Sequence, residues 1–206
     1  QAGPYTVTLS GNIYSLDFTV SAANVTFTST SSTTNVYGSI SFNATTTWAS
    51  TSANTYIQTQ GNTGGTITTN GVVFNNTTIF IGLTTAASTG TWTLGSALTV
   101  ANSSGIGTGS FNFNAGTFDT AGYNVTCSTF STNGTQTKTL YFRTSTITFG
   151  VNVSGDHFTF SGSGLTFNCG TSTLVQGVQG GTIRAPNQTF YNIISNTSSG
   201  LGLSQD

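Results

Sequence analysis

Asp156-His157 is the one place where a carboxylate adjoins an imidazole, and Ser154-Gly155 just before it invites a nucleophile–base–acid reading. The spacing speaks against that chemistry. Adjacent residues on a strand point to opposite faces, so this Asp cannot orient this His, and no Gly-x-Ser-x-Gly elbow leads into a helix. His157 is therefore read as a solvated turn residue. Glycoside hydrolysis needs two carboxyl groups about 5–9.5 Å apart. The chain offers four acids, Asp17, Asp119, Asp156 and Asp206, and any pair would have to be assembled from separate segments. No catalytic residue is assigned, and the chain is not expected to be an enzyme.

Metal and cofactor chemistry lack material as well. One His and two Cys supply too few ligands for a zinc site, and Asp-rich calcium loops are missing. The glycines of GSGLTFNCG have no Lys or acidic partner, so they turn the chain without cradling phosphate. No cofactor and no metal site are implied. Cys127 in YNVTCSTF and Cys169 in LTFNCGTS occupy comparable alternating positions, shared with Val125 and Phe167. Both are predicted to point inward, either as two buried thiols or as a disulfide between stacked strands.

The elements that would position such residues are strands. Apolar and hydroxyl residues alternate in Tyr5-Thr-Val7-Thr-Leu9, Trp92-Thr-Leu94, Phe111-Asn-Phe113, Ile147-Thr-Phe149 and Phe158-Thr-Phe160, with Gly, Asn and Ser clusters between. With 35% hydrophobic and 12% aromatic residues the chain can fill a core, while its only cations are Lys138, Arg143 and Arg184. At a net charge of −1 nucleic-acid binding has no electrostatic support. No apolar run approaches the roughly 20 residues of a spanning helix, so no membrane insertion is expected. The opening QAGPYTVTLS has no start Met or basic leader and reads as a processed product or excised fragment.

Two all-β architectures fit: a right-handed parallel β-helix, or a β-sandwich or jelly roll. Thr-x-Thr elements beginning at Thr6, Thr26, Thr45 and Thr66 recur at roughly one coil length, which favours the solenoid. Proline is confined to Pro4 and Pro186, as an uninterrupted ladder requires, and Pro186 should mark a turn or the final coil. Residues 1–206 are expected to form a single elongated β domain with a candidate sub-boundary at 84–90. Unpaired strand edges and coil ends invite assembly. The terminal strands, with Tyr5, Val7 and Leu9 at one end and Tyr191 and Ile193 at the other, are the candidate contacts.

The stretch from Thr89 to Gly150, above all NAGTFDTAGYNVT at Asn114–Thr126, together with QTFYNIISNTSSG at Gln188–Gly200, resembles repetitive β-helix-like structural proteins of bacteriophage fibres and appendages and of bacterial surfaces. The family shows small residues or Ser where this chain has Cys127. The resemblance implies a fibre, filament or surface appendage, working as a homo-oligomer with other structural proteins, on the extracellular surface or the virion. It carries no active-site residues with it.

Two other functions remain as alternatives. An adhesin or carbohydrate-binding module would stack glycans on some of Trp48, Tyr56, Trp92, Tyr141 and Tyr191. An ice-binding protein would need Thr-x-Thr in one flat rank, but Thr91, Thr135 and Thr144 fall out of the early spacing, so the rank is expected to fail in the second half. Sequons at Asn24, Asn43, Asn75, Asn76, Asn102, Asn124, Asn133, Asn152, Asn187 and Asn196 are candidate glycosylation sites.

Overall fold

Strands this short, with one apolar face each, bury that face by stacking on a counterpart from the previous coil. The computed structural model describes residues 5–8, 11–14, 16–18, 25–29, 33–50, 55–59, 62–101, 109–150, 155–177, 181–196 and 200–204. These residues form a parallel β-solenoid of about 7 turns with no helix, not a sandwich. Accordingly, among the described residues no helix is long and apolar enough to cross a membrane.

The first turns are built from β1 (Tyr5–Thr8), β2 (Gly11–Ile13), β3 (Leu16–Phe18), β4 (Val25–Ser29), β5 (Thr33–Val36), β6 (Ile40–Phe42), β7 (Thr47–Ser50), β8 (Thr55–Thr59) and β9 (Gly65–Thr68). The middle turns are β10 (Val73–Asn75), β11 (Thr77–Ile81), β12 (Thr91–Leu94), β13 (Leu98–Ala101), β14 (Ser110–Phe113), β15 (Gly116–Asp119), β16 (Val125–Cys127), β17 (Thr129–Thr132) and β18 (Lys138–Tyr141). The last are β19 (Thr146–Phe149), β20 (Gly155–Phe160), β21 (Leu165–Asn168), β22 (Thr173–Gln176), β23 (Gly181–Arg184), β24 (Asn192–Ser195) and β25 (Leu201–Ser204).

Each turn through β21 gives one strand to each of three faces, and the strands after it belong to the first two. The first face stacks β1, β4 and β7, then β10, β13, β16, β19, β22 and β24, with the ladder interrupted between β7 and β10. The second runs unbroken from β2 through β5, β8, β11, β14, β17, β20 and β23 to β25. The third takes β3, β6, β9, β12, β15, β18 and β21. Residues 84–90 form part of the corner between β11 and β12, and the ladders β8·β11·β14 and β9·β12·β15 pass through that level.

Register makes the core a set of vertical stacks. On the second face Ile57, Ile79, Phe111, Phe130, Phe158 and Ile183 lie one above another. The Phe130 ring stacks on Phe111 at 5.0 Å and on Phe158 at 5.2 Å. On the third face Trp92, Phe118, Leu140 and Phe167 align below Gly65. A Cβ at Gly65 would lie 3.0 Å from the Trp92 ring, so the missing side chain is what admits the indole.

Turns between the third and first faces stack too, and Asn70, Ala121, Arg143, Gly170 and Asn187 all adopt positive φ there. Pro186 sits in the last of these turns, as expected. Buried hydroxyls line this corner: Thr69 donates to the Ala97 carbonyl at 2.6 Å, Thr120 to that of Phe142 at 2.8 Å, and Ser145 to Thr120 at 2.8 Å. These bonds tie successive turns to one another across the corner.

Candidate functional site

The sequence placed His157 in a solvated turn. It lies instead buried within β20, where the register against β23 shifts between Asp156 and Phe158. That irregularity breaks strict alternation and turns His157 and Phe158 inward together. Asp17 and Asp119 lie on the third face at β3 and β15, four strand spacings apart, about 19 Å at the usual strand separation. That is too far for a glycosidase pair. Asp119 instead takes Arg143, with Nε at 3.1 Å and Nη2 at 2.6 Å, and accepts the Ala121 amide at 2.8 Å. The hydrogen bond from Arg143 holds this carboxyl below its ordinary value. The same guanidinium lies 4.5 Å from the centre of the Tyr141 ring. Among the described residues no three His, Cys, Asp or Glu side chains gather as metal ligands would.

The two cysteines differ in burial. Cys127 is fully buried on β16, and burial pushes its thiol far up. Cys169 is half-buried just beyond the end of β21, in the alternating phase of Leu165 and Phe167, and neither thiol is in a disulfide.

Lys138 is the residue that sequence reasoning missed. It points inward on β18 with no exposure, and its ammonium donates to the carbonyls of Gly134 (3.1 Å), Gln136 (3.0 Å) and Ser163 (2.8 Å). Burial pulls its pKa below the ordinary lysine value, while the three acceptors match its three N–H donors. Two successive corner loops are thereby tied together where Gly134 and Gly162 approach so closely that no Cβ fits at Gly162. The signal was present in the sequence: Lys138 shares the inward phase of Leu140 and Phe142.

Of the aromatic candidates, Trp48 and Trp92 are core residues, Trp48 donating to Thr77 at 2.8 Å. Tyr141 is held under Arg143, and Tyr191 is 67% exposed just before β24. Tyr56 faces outward on β8, where its ring meets that of Phe80 at 5.7 Å. Phe80 was not singled out in the sequence, although it follows inward Ile79 directly and so takes the outward phase.

Threonines form ranks after all. On the first face Thr6 aligns with Thr26 and Thr26 with Thr47. Beyond the ladder break Val73 aligns with Thr99, Thr126, Thr148 and Val175 in succession. The early spacing misled in two ways: Thr47 rather than Thr45 joins the rank, and Thr66 lies on β9 of the third face. Thr91 begins a second rank there, with Thr117, Thr139 and Thr166. Corners of unequal length shift the sequence interval while leaving the register intact.

β24 and β25 are the last described strands of their faces. Leu203 continues the inward stack above Ile183 yet is 65% exposed, and Ile194 is 42% exposed. Around Leu203 lie Ile183, Ala185, Phe190 and Ile193, lining a recess of about 170 Å³. Ile193 is half-buried and faces inward; Val7 is likewise half-buried on β1, Tyr5 lies on that strand, and Leu9 falls outside the described residues.

Among the sequons, Asn124, Asn187 and Asn196 are exposed. Asn43, Asn75, Asn76 and Asn133 are half-buried, and Asn24, Asn102 and Asn152 lie outside the described residues. Asn43 Oδ1 accepts the Thr45 amide at 3.0 Å, and Asn133 Oδ1 accepts the Ser161 hydroxyl at 2.8 Å. No family model, curated protein or solved structure matches the chain.

Proposed function

We propose that this chain is a non-catalytic structural building block of an extracellular or virion fibre, filament or surface appendage, and that copies of it stack coil end on coil end. The observation that carries the reading is the apolar exposure at β25. Leu203 extends a core stack whose earlier members, Ile57 to Ile183, are buried, and it is left 65% exposed over a recess lined by Ile183, Phe190 and Ile193. A large apolar side chain exposed in line with a core stack asks for cover. The surface that fits is another coil, whose strands would add to the edges of β24 and β25 and whose inward residues would continue the stack. Electron microscopy of the purified chain over a range of concentrations tests this. Ordered fibres or rings are expected, and dispersed single particles at every concentration would count against it.

A second reading, ice binding, is favoured by the threonine ranks of the first and third faces. The outward positions of the second face are mixed: Thr33, Tyr56, Thr78, Ser110 and Thr129 align in one rank, and Asn12, Asn35, Gln58, Phe80, Asn112, Ser131 and Thr159 in the other. Hydroxyls and methyls on the threonine ranks of the first and third faces repeat about 4.8 Å apart between coils and about 6.7 Å apart along a strand, a regular spacing able to order water. Ice-crystal shaping by the wild-type chain, lost in Thr99→Tyr and Thr126→Tyr, is the result this reading expects; unshaped crystals with the wild-type chain would remove it.

A further inference from the structure

We propose that the outward aromatic pair Tyr56–Phe80 on the second face, with Gln58 and Thr33, is a binding site for a neutral saccharide chain lying along the solenoid axis. Phe80 is the exception in its rank: the residues stacked before and after it, Asn12, Asn35, Gln58, Asn112, Ser131 and Thr159, are polar. The core has no use for it, because its neighbours Ile79 and Ile81 already fill the inward positions of β11. Its ring lies 5.7 Å from that of Tyr56 at an interplanar angle of 49°, and the two border an open depression of about 300 Å³ with Thr33 and Gln58.

The lining specifies the ligand class. Two ring faces suit the apolar C–H faces of pyranose rings, while an amide, a hydroxyl and a phenol suit their hydroxyls. No charged residue borders the depression, and Arg184, the outward cation of this rank, stands four strands away on β23. An anionic ligand therefore finds no counter-charge, and a neutral polyol loses nothing. The direction follows from the neighbours. Asn35 donates to Asn12 at 2.8 Å on one side of the pair, and Asn112 and Ser131 are hydrogen-bonded on the other. An amide and hydroxyl track thus runs along the axis through the aromatic pair, with one step of about 4.8 Å per coil.

The test is an NMR titration of the full chain with the neutral hexasaccharides of cellulose, starch and chitin, and with an alginate hexasaccharide as the anionic control. At least one neutral probe should bind with millimolar affinity and shift the resonances of Tyr56, Gln58 and Phe80. Phe80→Ser and Tyr56→Ser should each weaken it by about tenfold or more at unchanged melting temperature, and Phe80→Tyr should retain it. The proposal is overturned if no neutral probe moves these resonances, if binding survives both serine variants, or if alginate binds equally well. Because the site is remote from β24 and β25, the titration gives the same answer on a Leu203→Asp variant that does not assemble, and so separates this inference from the stacking reading.

Discussion

A buried lysine in a chain so poor in charge must answer for its desolvation, and Lys138 does so with three backbone carbonyls. Lys138→Met keeps the stem and removes the donors. It should cost roughly 2–4 kcal/mol in urea unfolding, because buried carbonyls lose their partner, and a loss below half a kcal/mol would mean the loops hold without it. The Asp119–Arg143 pair differs, since the arginine side chain is 51% exposed. The folded pKa of Asp119 is depressed, so its contribution is present above the ordinary aspartate value and fades as pH falls through the folded one. Urea midpoints between pH 6 and 2 should show a small acid loss that Asp119→Asn removes and that high salt weakens. With the thiols, a bulky reagent should label Cys169 in the native chain and reach Cys127 only on unfolding. At this scale the inward phase of Lys138 was legible from Lys138-x-Leu140-x-Phe142. The environment of His157 was not, because a register shift in β20 leaves no mark on local alternation.

Strands of three to six residues have no independent stability, so each depends on the layer above and the layer below. Phe130 lies between Phe111 and Phe158, and Phe130→Ala should cost about 3–5 kcal/mol by opening a cavity in mid-stack. Gly65→Ala should cost about 1–3 kcal/mol by overpacking against the Trp92 ring and the backbone of Gly38 and Ser39. Chemical denaturation checks both, and an unchanged midpoint in Gly65→Ala would contradict the contact. Strand positions and their buried phases were readable because a Thr-Phe-Thr alternation admits little else. Which strand stacks on which was not: the sequence interval between stacked strands is set by corner length, and corners here vary. That is why the Thr-x-Thr spacing found Thr6 and Thr26 correctly and then assigned Thr45 and Thr66 wrongly.

For the whole molecule, the account expects a ladder that is well covered along its length and exposed at β24 and β25. Hydrogen exchange should therefore be slowest around β14 to β20 and faster toward β24 and β25, as nearest-neighbour stabilisation requires. Removing residues 1–10, which include all of β1, should weaken assembly if the coil at β1 receives the exposed face at β24 and β25. The measurement that bears most directly on the structural reading is sedimentation velocity of the wild-type chain and of Leu203→Asp/Ile194→Asp over a hundredfold range of concentration. The account predicts wild-type species that grow with concentration, and a variant that stays monomeric with an unchanged melting temperature. A wild-type chain that sediments as one monomer throughout, or a variant that assembles as well as wild type, would contradict it.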